Sequence, residues 1–278
     1  MQRPIRALKD EGFTVVEILP GPDGCIDTQK FLQEIDKNTV LAACMAVNNE
    51  TGAVQDIAAL GKGIKRVTAA PTSMWTPCRR GCVCRSTCKN GARWTAFRVG
   101  PQGPRAQGCG RTLYPGQPAP DPQAPYIGGH QERGLRPGTE NTPYIVGLGM
   151  AAALGQQKLR TRMTRIAELN ARLRAGLAAL DGITLNSPAD AVGEIVNFST
   201  NCINSQTFIN YLNTRAVYVS GGSACDKGEP SHTLLAMGCS DLTVRTALRV
   251  SLCADNTAED VDALLAGVRD GLKELQHI

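Results

Sequence analysis

The chain has 278 residues, of which 42% are hydrophobic and 20% charged, with a formal net charge of +5 at neutral pH. That composition suffices for one large core or two modest ones. The charge is mild, dispersed and not interleaved with aromatic residues, which argues against nucleic-acid binding, and no run of about 18 apolar residues suggests a membrane span.

The N-terminus leads into Lys9-Asp10-Glu11 without an apolar signal region, so a cytoplasmic protein is expected. Residues 12 to 65 read as α/β. Thr14 to Leu19 is β-branched and bounded by Pro20-Gly21-Pro22, which predicts a strand. Asp27-Thr28-Gln29-Lys30 opens a short helix carrying Phe31, Leu32 and Ile35. Thr39 to Ala46 is nearly all apolar, as in a strand buried on both faces of a parallel sheet. It runs into the polar loop Asn48-Asn49-Glu50-Thr51-Gly52. The carboxyl end of such a strand is where ligands sit in open α/β sheets. Ile57, Leu60 and Ile64 then line a further helix.

Residues 66 to 125 break the pattern. They are rich in Arg, Cys, Gly and Pro, and lack aliphatic periodicity. Such a stretch buries too little apolar surface to offset its ordering entropy, so poor order is expected. Five of the eleven cysteines fall here: Cys78, Cys82, Cys84, Cys88 and Cys109. The odd total and the long cysteine-free spans fit a reduced compartment better than a disulfide framework.

Regular patterning returns at Tyr126. Leu159, Met163, Ile166, Leu169, Leu173, Leu177 and Leu180 recur at helical spacing and predict a long amphipathic helix. Val192 to Phe198 alternates like a strand, Ser205 to Asn213 reads as a helix, and Ala216 to Ser220 as a strand. Glu229-Pro230-Ser231-His232 reads as a helix start. Thr246 to Leu252 is another strand. Thr257 is a candidate N-cap for a final helix lined by Val261, Leu264, Leu265, Val268, Leu272 and Leu275.

Three features carry chemistry. Ser220-Gly221-Gly222-Ser223-Ala224-Cys225 is a glycine-rich loop that could present a reactive thiol, the alternative being a small core cysteine. Gly128 to Asn141 holds several glycines, two arginines and Thr139; it suits an anion-binding loop as well as an ordinary turn-rich connection. Arg249 lies inside an apolar strand and needs a partner, either a protein carboxylate or that of a substrate.

Taken together, these pieces resemble one family. Val47 to Gly52, the Gly-Gly-x-Gln-Glu-Arg-Gly-x-Arg-x-Gly-Thr run and Ser-Gly-x-Ser-Ala-Cys occur in this order in cysteine desulfurases of the class V aminotransferase group. The resemblance implies an α/β, fold-type I enzyme that uses pyridoxal 5′-phosphate (PLP). It divides the chain into a partial large domain with a parallel-rich sheet (1–150) and a small C-terminal α+β domain (151–278). It implies conversion of L-cysteine to L-alanine, with the sulfur passed as a persulfide to an acceptor protein, often toward iron–sulfur clusters. By the same resemblance Cys225 is the attacking thiolate and Asn49 hydrogen-bonds near the PLP ring oxygen. Thr139 reaches the PLP phosphate of the partner subunit in a homodimer, and Arg249 holds the substrate carboxylate. Selenocysteine lyases are neighbours that share the Arg-Pro-Gly-Thr-Glu-Asn stretch. A truncated, inactive paralogue that dimerises or carries sulfur is the non-enzymatic alternative.

Parts of the family pattern are missing. The chain begins downstream of the family's Glu-His stretch, as a truncated form would. The central Asp-Ala-x-Gln and Ser-x-His-Lys motifs are absent too, and no lysine stands between Lys89 and Lys158. Yet the Asn49 to Thr139 spacing is the family's own. Met74 and Trp75 have one codon each, and reading one base earlier across Met74-Trp75-Thr76 forces Val-Asp. The codons for Thr76 to Arg79 then permit Ala-Val-Gln. Roughly residues 66 to 120 thus read as a frameshifted segment. On that reading the clustered cysteines are by-products, and no metal site is expected.

Overall fold

The computed structural model describes residues 2–67, 72–76, 94–98, 111–113, 126–221 and 230–278. After α1 (Gln2–Asp10), Asp27 starts α2 (Thr28–Gln33) by accepting from the N–H groups of Gln29 at 2.8 Å and Lys30 at 3.2 Å. Those first-turn donors have no partner within the helix. Phe31 and Ile35 pack with Ala42 and Cys44 of β1 (Leu41–Met45) and with Leu60 and Ile64 of α3 (Ile57–Val67). The expected apolar faces of both helices are therefore the ones buried.

In β1 burial alternates. Ala42 and Cys44 are buried, whereas Leu41, Ala43 and Met45 are half-buried. The sequence reading expects both faces covered, but an unbroken apolar run reads alike whether one face is packed or two. Thr14 to Leu19 differs more: it forms no regular element, and Val16 and Leu19 are exposed. Its β-branched residues favour a pleat, but a strand needs a neighbour to take its backbone hydrogen bonds.

β1 pairs in parallel with β2 (Thr72–Thr76), and β2 in parallel with β3 (Trp94–Arg98). β3 pairs antiparallel with β4 (Arg111–Leu113), giving the order β1-β2-β3-β4. Three strands thus stand in the stretch where the sequence shows no regular element, and none of them contains a proline. The poor order expected of the rest of 68–125 concerns residues outside those described.

The C-terminal half begins with α4 (Thr142–Gln157), capped by Asn141, and α5 (Leu159–Ala178). Ile166, Leu169, Leu173 and Leu177 of α5 are buried, while Met163 is exposed. An antiparallel sheet follows in the order β5 (Thr184–Leu185), β6 (Ile195–Ser199), β7 (Ala247–Ser251). Between β6 and β7 run α6 (Ser205–Thr214), α7 (His232–Ala236) and α8 (Asp241–Arg245). The expected strand at Ala216 to Ser220 reduces to one bridge, Ser220 to Arg249. The last helix, α9 (Ala258–Glu274), has the expected cap at Thr257, extended to a reciprocal pair: Asp260 N–H donates to Thr257 Oγ1 at 3.2 Å and Thr257 N–H to Asp260 Oδ2 at 3.1 Å.

α5, α6 and α9 cover β6 and β7. Leu173, Phe198, Phe208, Leu248 and Val268 meet there in one fully buried core. Each such side chain contributes about 2 kcal/mol by leaving water. Among the described residues no helix is long and apolar enough to cross a membrane.

Candidate functional site

The turn at the carboxyl end of β1 is where the two halves of the chain meet. Within it, Asn48 Oδ1 accepts from the N–H groups of Glu50 at 2.8 Å and Thr51 at 3.0 Å. Gly52 N–H donates to Asn48 O at 3.0 Å, closing the turn. Asn48 thus makes a side-chain turn of the kind that asparagine favours.

The turn's outward carbonyls all point at the C-terminal half. Arg249 Nη1 donates to Asn49 O at 3.2 Å and Asn197 Nδ2 to Glu50 O at 3.3 Å. Ser187 Oγ donates to Thr51 O at 2.6 Å, and Val192 N–H to Gly52 O at 3.0 Å. Four consecutive carbonyls are thereby satisfied from residues far along the chain. Buried carbonyls need such partners. The donors are themselves held: Asn197 N–H donates to Ser187 Oγ at 2.8 Å, and Asn186 Nδ2 to Asn197 Oδ1 at 2.8 Å.

Gly52 is required in this arrangement. Its φ is +78°, and a Cβ there would lie 3.1 Å from Ile195 Cβ and 3.3 Å from Ala191 Cβ. Gly52→Ala is expected to cost about 1–3 kcal/mol, from left-handed backbone and crowding together. A lower urea midpoint at unchanged slope is the readout; a midpoint equal to the parent's would mean that the turn is not pressed against β6.

Asn49 and Arg249 are therefore brought together. Asn49 is half-buried at the tip of the turn, and Arg249 lies at 9% exposure in β7. The Arg249 backbone also exchanges hydrogen bonds with Ser220, at 3.2 and 2.6 Å. Ser220 is the residue at which the cysteine loop departs. Cys225 itself, in 222–229, lies outside the described residues.

Thr139 stands apart. It is exposed, in a loop whose described hydrogen bonds run within the loop, from Gly138 N–H to Gln131 Oε1 at 3.2 Å and from Arg136 Nη1 to Gly138 O at 3.3 Å. Glu132, Arg133 and Gly134 in this loop are successively left-handed, with φ of 49°, 59° and 78°. Two non-glycine residues in that region cost about 1–2 kcal/mol each.

Four of the described cysteines, Cys25, Cys44, Cys202 and Cys239, are poorly suited to nucleophilic work, whereas Cys253 is exposed. Burial pushes the Cys44 thiol up to about 12, and burial likewise raises Cys25, Cys202 and Cys239. A raised thiol is a poor nucleophile at neutral pH. Among the described residues no cluster of His, Cys, Asp and Glu could hold a metal ion; Cys78 to Cys109 lie outside them.

Glu50 lies in the turn expected from the sequence but without a role of its own there, and Ser187, Asn197 and Ser231 are not foreseen as parts of this region. Their signal was present only as polar residues inside or beside apolar strands and at a helix start, which does not say where they point.

The sequence pattern of the family described as Aminotransferase class-V matches residues 2–71 and 123–264, passing over 72–122. Similar curated proteins include the cysteine desulfurase IscS of Methylococcus capsulatus, 34% identical over 278 residues, which span 99% of this chain and 68% of that protein. The cysteine desulfurase IscS of Escherichia coli O139:H28 is 31% identical over 98% of this chain and 67% of its own length. Among solved structures, a NifS-like protein superposes with a TM-score of 0.90 at 26% identity, over 99% of this chain and 72% of the other. SspA in complex with cysteine gives 0.72 at 26% identity, over 92% and 71%. These likenesses bear out the fold-type I expectation, and the chain belongs to the class V aminotransferase family.

Proposed function

We propose that this protein has the layout of a PLP-dependent cysteine desulfurase, in which L-cysteine becomes L-alanine and sulfur is left as a persulfide on Cys225. The sulfur would then pass to an acceptor protein for iron–sulfur clusters or other thio-cofactors. The observation that carries this reading is the hydrogen bond between Arg249 and the Asn49 carbonyl, which joins two family motifs at one turn. A cytoplasmic homodimer with a large domain at 1–150 and a small one at 151–278 belongs to the same proposal.

The residues divide the work as follows. The Arg249 guanidinium pairs with the substrate carboxylate and keeps Nη1 on the turn, a task that suits its planar, multi-donor head. Asn49 would offer its amide to the ring oxygen of the cofactor, and Thr139 its hydroxyl to the phosphate in the partner subunit. In the net conversion, the carbon–sulfur bond of cysteine breaks and a sulfur–sulfur bond forms at Cys225. The Cys225 thiol proton is replaced by SH, and the substrate carbon gains a hydrogen. When bound, PLP supplies the electron sink that lets the carbon give up its sulfur.

The fit is incomplete. Hydrogen-bonding groups for ring and phosphate are present, but residues 90–157 contain no lysine to link the cofactor covalently. That gap favours the second reading, a sulfur-carrying relative without turnover, unless roughly residues 66 to 120 are encoded in another frame. The test is alanine release and persulfide on Cys225, measured on the chain as it stands and with the segment re-read.

Arg249→Lys in the re-read chain is expected to raise the KM for L-cysteine roughly tenfold or more, because about 1.5–3 kcal/mol of charge-assisted bonding is lost. An unchanged KM would remove Arg249 from the substrate site.

A further inference from the structure

Glu50 has no role in the reading above, yet its carboxylate is buried at 4% exposure between the turn and α7. Ser231 Oγ donates to Glu50 Oε2 at 2.5 Å, and Thr233 Oγ1 donates to Glu50 Oε1 at 3.2 Å. Each oxygen thus holds one hydroxyl. Ser231 is the N-cap of α7 and also accepts from Leu234 N–H at 3.1 Å. Asn48 Nδ2 reaches Thr233 Oγ1 at 3.5 Å, closing the set. A buried carboxylate is retained at a cost unless its lone pairs are filled, and here hydroxyls fill them.

Position along the chain gives this contact its meaning. Ser231 follows the segment that contains Cys225, as Ser220 precedes it. The leading limb is tied through Ser220 to the Arg249 backbone, whose side chain holds Asn49 O. The returning limb is tied through Ser231 and Thr233 to Glu50. Two adjacent turn residues therefore anchor the two ends of the cysteine segment, one by its carbonyl and one by its side chain.

We propose that Glu50 is a positioning residue: it fixes the returning limb of the Cys225 segment to the turn that carries Asn49. This rests on the reading of Cys225 as sulfur acceptor only for its catalytic meaning; the anchoring itself is independent of it. The role is to fix where the chain re-enters the fold after Cys225, beside the turn that carries Asn49, because catalysis gains from orientation of the reacting groups.

The test uses the full chain and two readouts that do not need turnover. Hydrogen exchange follows the amides of Leu234, Leu235 and Met237, with β6 and β7 amides as internal controls. Alkylation by iodoacetamide, resolved by peptide mass, follows Cys225 against the exposed Cys253. Glu50→Gln is expected to lower protection of the α7 amides about tenfold while β6 and β7 hold, the scale of one lost charge-assisted bond. It is expected to speed Cys225 alkylation relative to Cys253 several-fold, and Glu50→Asp to recover part of both effects. Ser231→Ala with Thr233→Val removes the same links from the other side. It serves should Glu50→Gln not fold, and should add nothing to Glu50→Gln where both fold. Equal loss of protection in α7, β6 and β7 would make Glu50 merely structural, and no change in α7 or Cys225 would overturn the proposal. Should radiolabelled sulfur from cysteine never reach Cys225 while the α7 and alkylation changes still occur, the anchoring stands and the sulfur-acceptor reading falls.

Discussion

Mixed with PLP, the chain as it stands is expected to stay colourless and to retain no cofactor after borohydride reduction. The same chain with its middle segment re-read is expected to turn yellow and to hold one lysine-linked cofactor per chain. Length and content of the middle segment do not match. Alignment to the Methylococcus capsulatus relative runs through 278 residues and 99% of the chain, so the segment has its expected length. The family pattern nevertheless passes over 72–122. Loss of content at constant length is what a shifted frame produces. One base earlier, Met74-Trp75-Thr76 yields Val-Asp, and the following codons permit the rest of Val-Asp-Ala-x-Gln. Farther along, the frame one base later gives a second match. Across Gln102 and Gly103 it forces Lys or Arg, and the codons from Val99 onward permit Ser-Gly-His-Lys ending there. That is the missing lysine motif, at the position where Asn49 and Thr139 leave room for it. The two matches lie in different frames, so more than one single-base change is required, with the original frame regained before Tyr126. Sequencing the encoding DNA reads this directly. A lysine-linked PLP on the chain as it stands would falsify the prediction, and so would a DNA sequence whose alternative frames lack Ser-x-His-Lys.

Cys225→Ser in the re-read chain is expected to abolish persulfide formation and to lower alanine release by roughly 10³-fold or more, the scale seen when a nucleophile is removed. Binding of PLP should be unaffected, because Cys225 is assigned to sulfur and not to the cofactor. The remaining thiols sharpen this experiment. With burial pushing Cys44 up to about 12, only about one part in ten thousand of it is thiolate at pH 8. Sulfur label recovered on Cys44 or Cys202 in place of Cys225 would sink the assignment.

Much of the fold could be read from the sequence because its cues are local. Leu169, Leu173 and Leu177 repeat at helical spacing, and the structure buries those residues. Thr257 and Asp260 identify the start of α9 by their own side chains. Thr14 to Leu19 misleads for the complementary reason. Its residues suit a strand, but being a strand depends on a neighbour that spacing cannot report. The site divides in the same way. Asn49 falls at the end of an apolar strand, where a ligand turn is expected, and Arg249 stands out as a charge among apolar residues. That these two touch is a property of the packed halves, and so is the grip of Ser231 on Glu50. No pattern in either local stretch encodes the meeting.

The clasp on the 48–52 turn also sets a schedule. Its hydrogen bonds join residues separated by 200 positions at Arg249, 181 at Ser231 and 136 at Ser187. Contacts so distant in sequence form late, since the chain must first close the intervening loop. During synthesis the turn leaves the ribosome long before its partners. At about 5–20 residues per second, it waits on the order of ten seconds or more for β7 to appear. A nascent chain halted before Ser187 would own β1 and its helices, yet its four turn carbonyls would still be hydrogen-bonded to water, and one halted just before Arg249 would still leave the Asn49 carbonyl to water. The site is therefore among the last features of the molecule to exist, and its assembly reports that synthesis has passed Arg249.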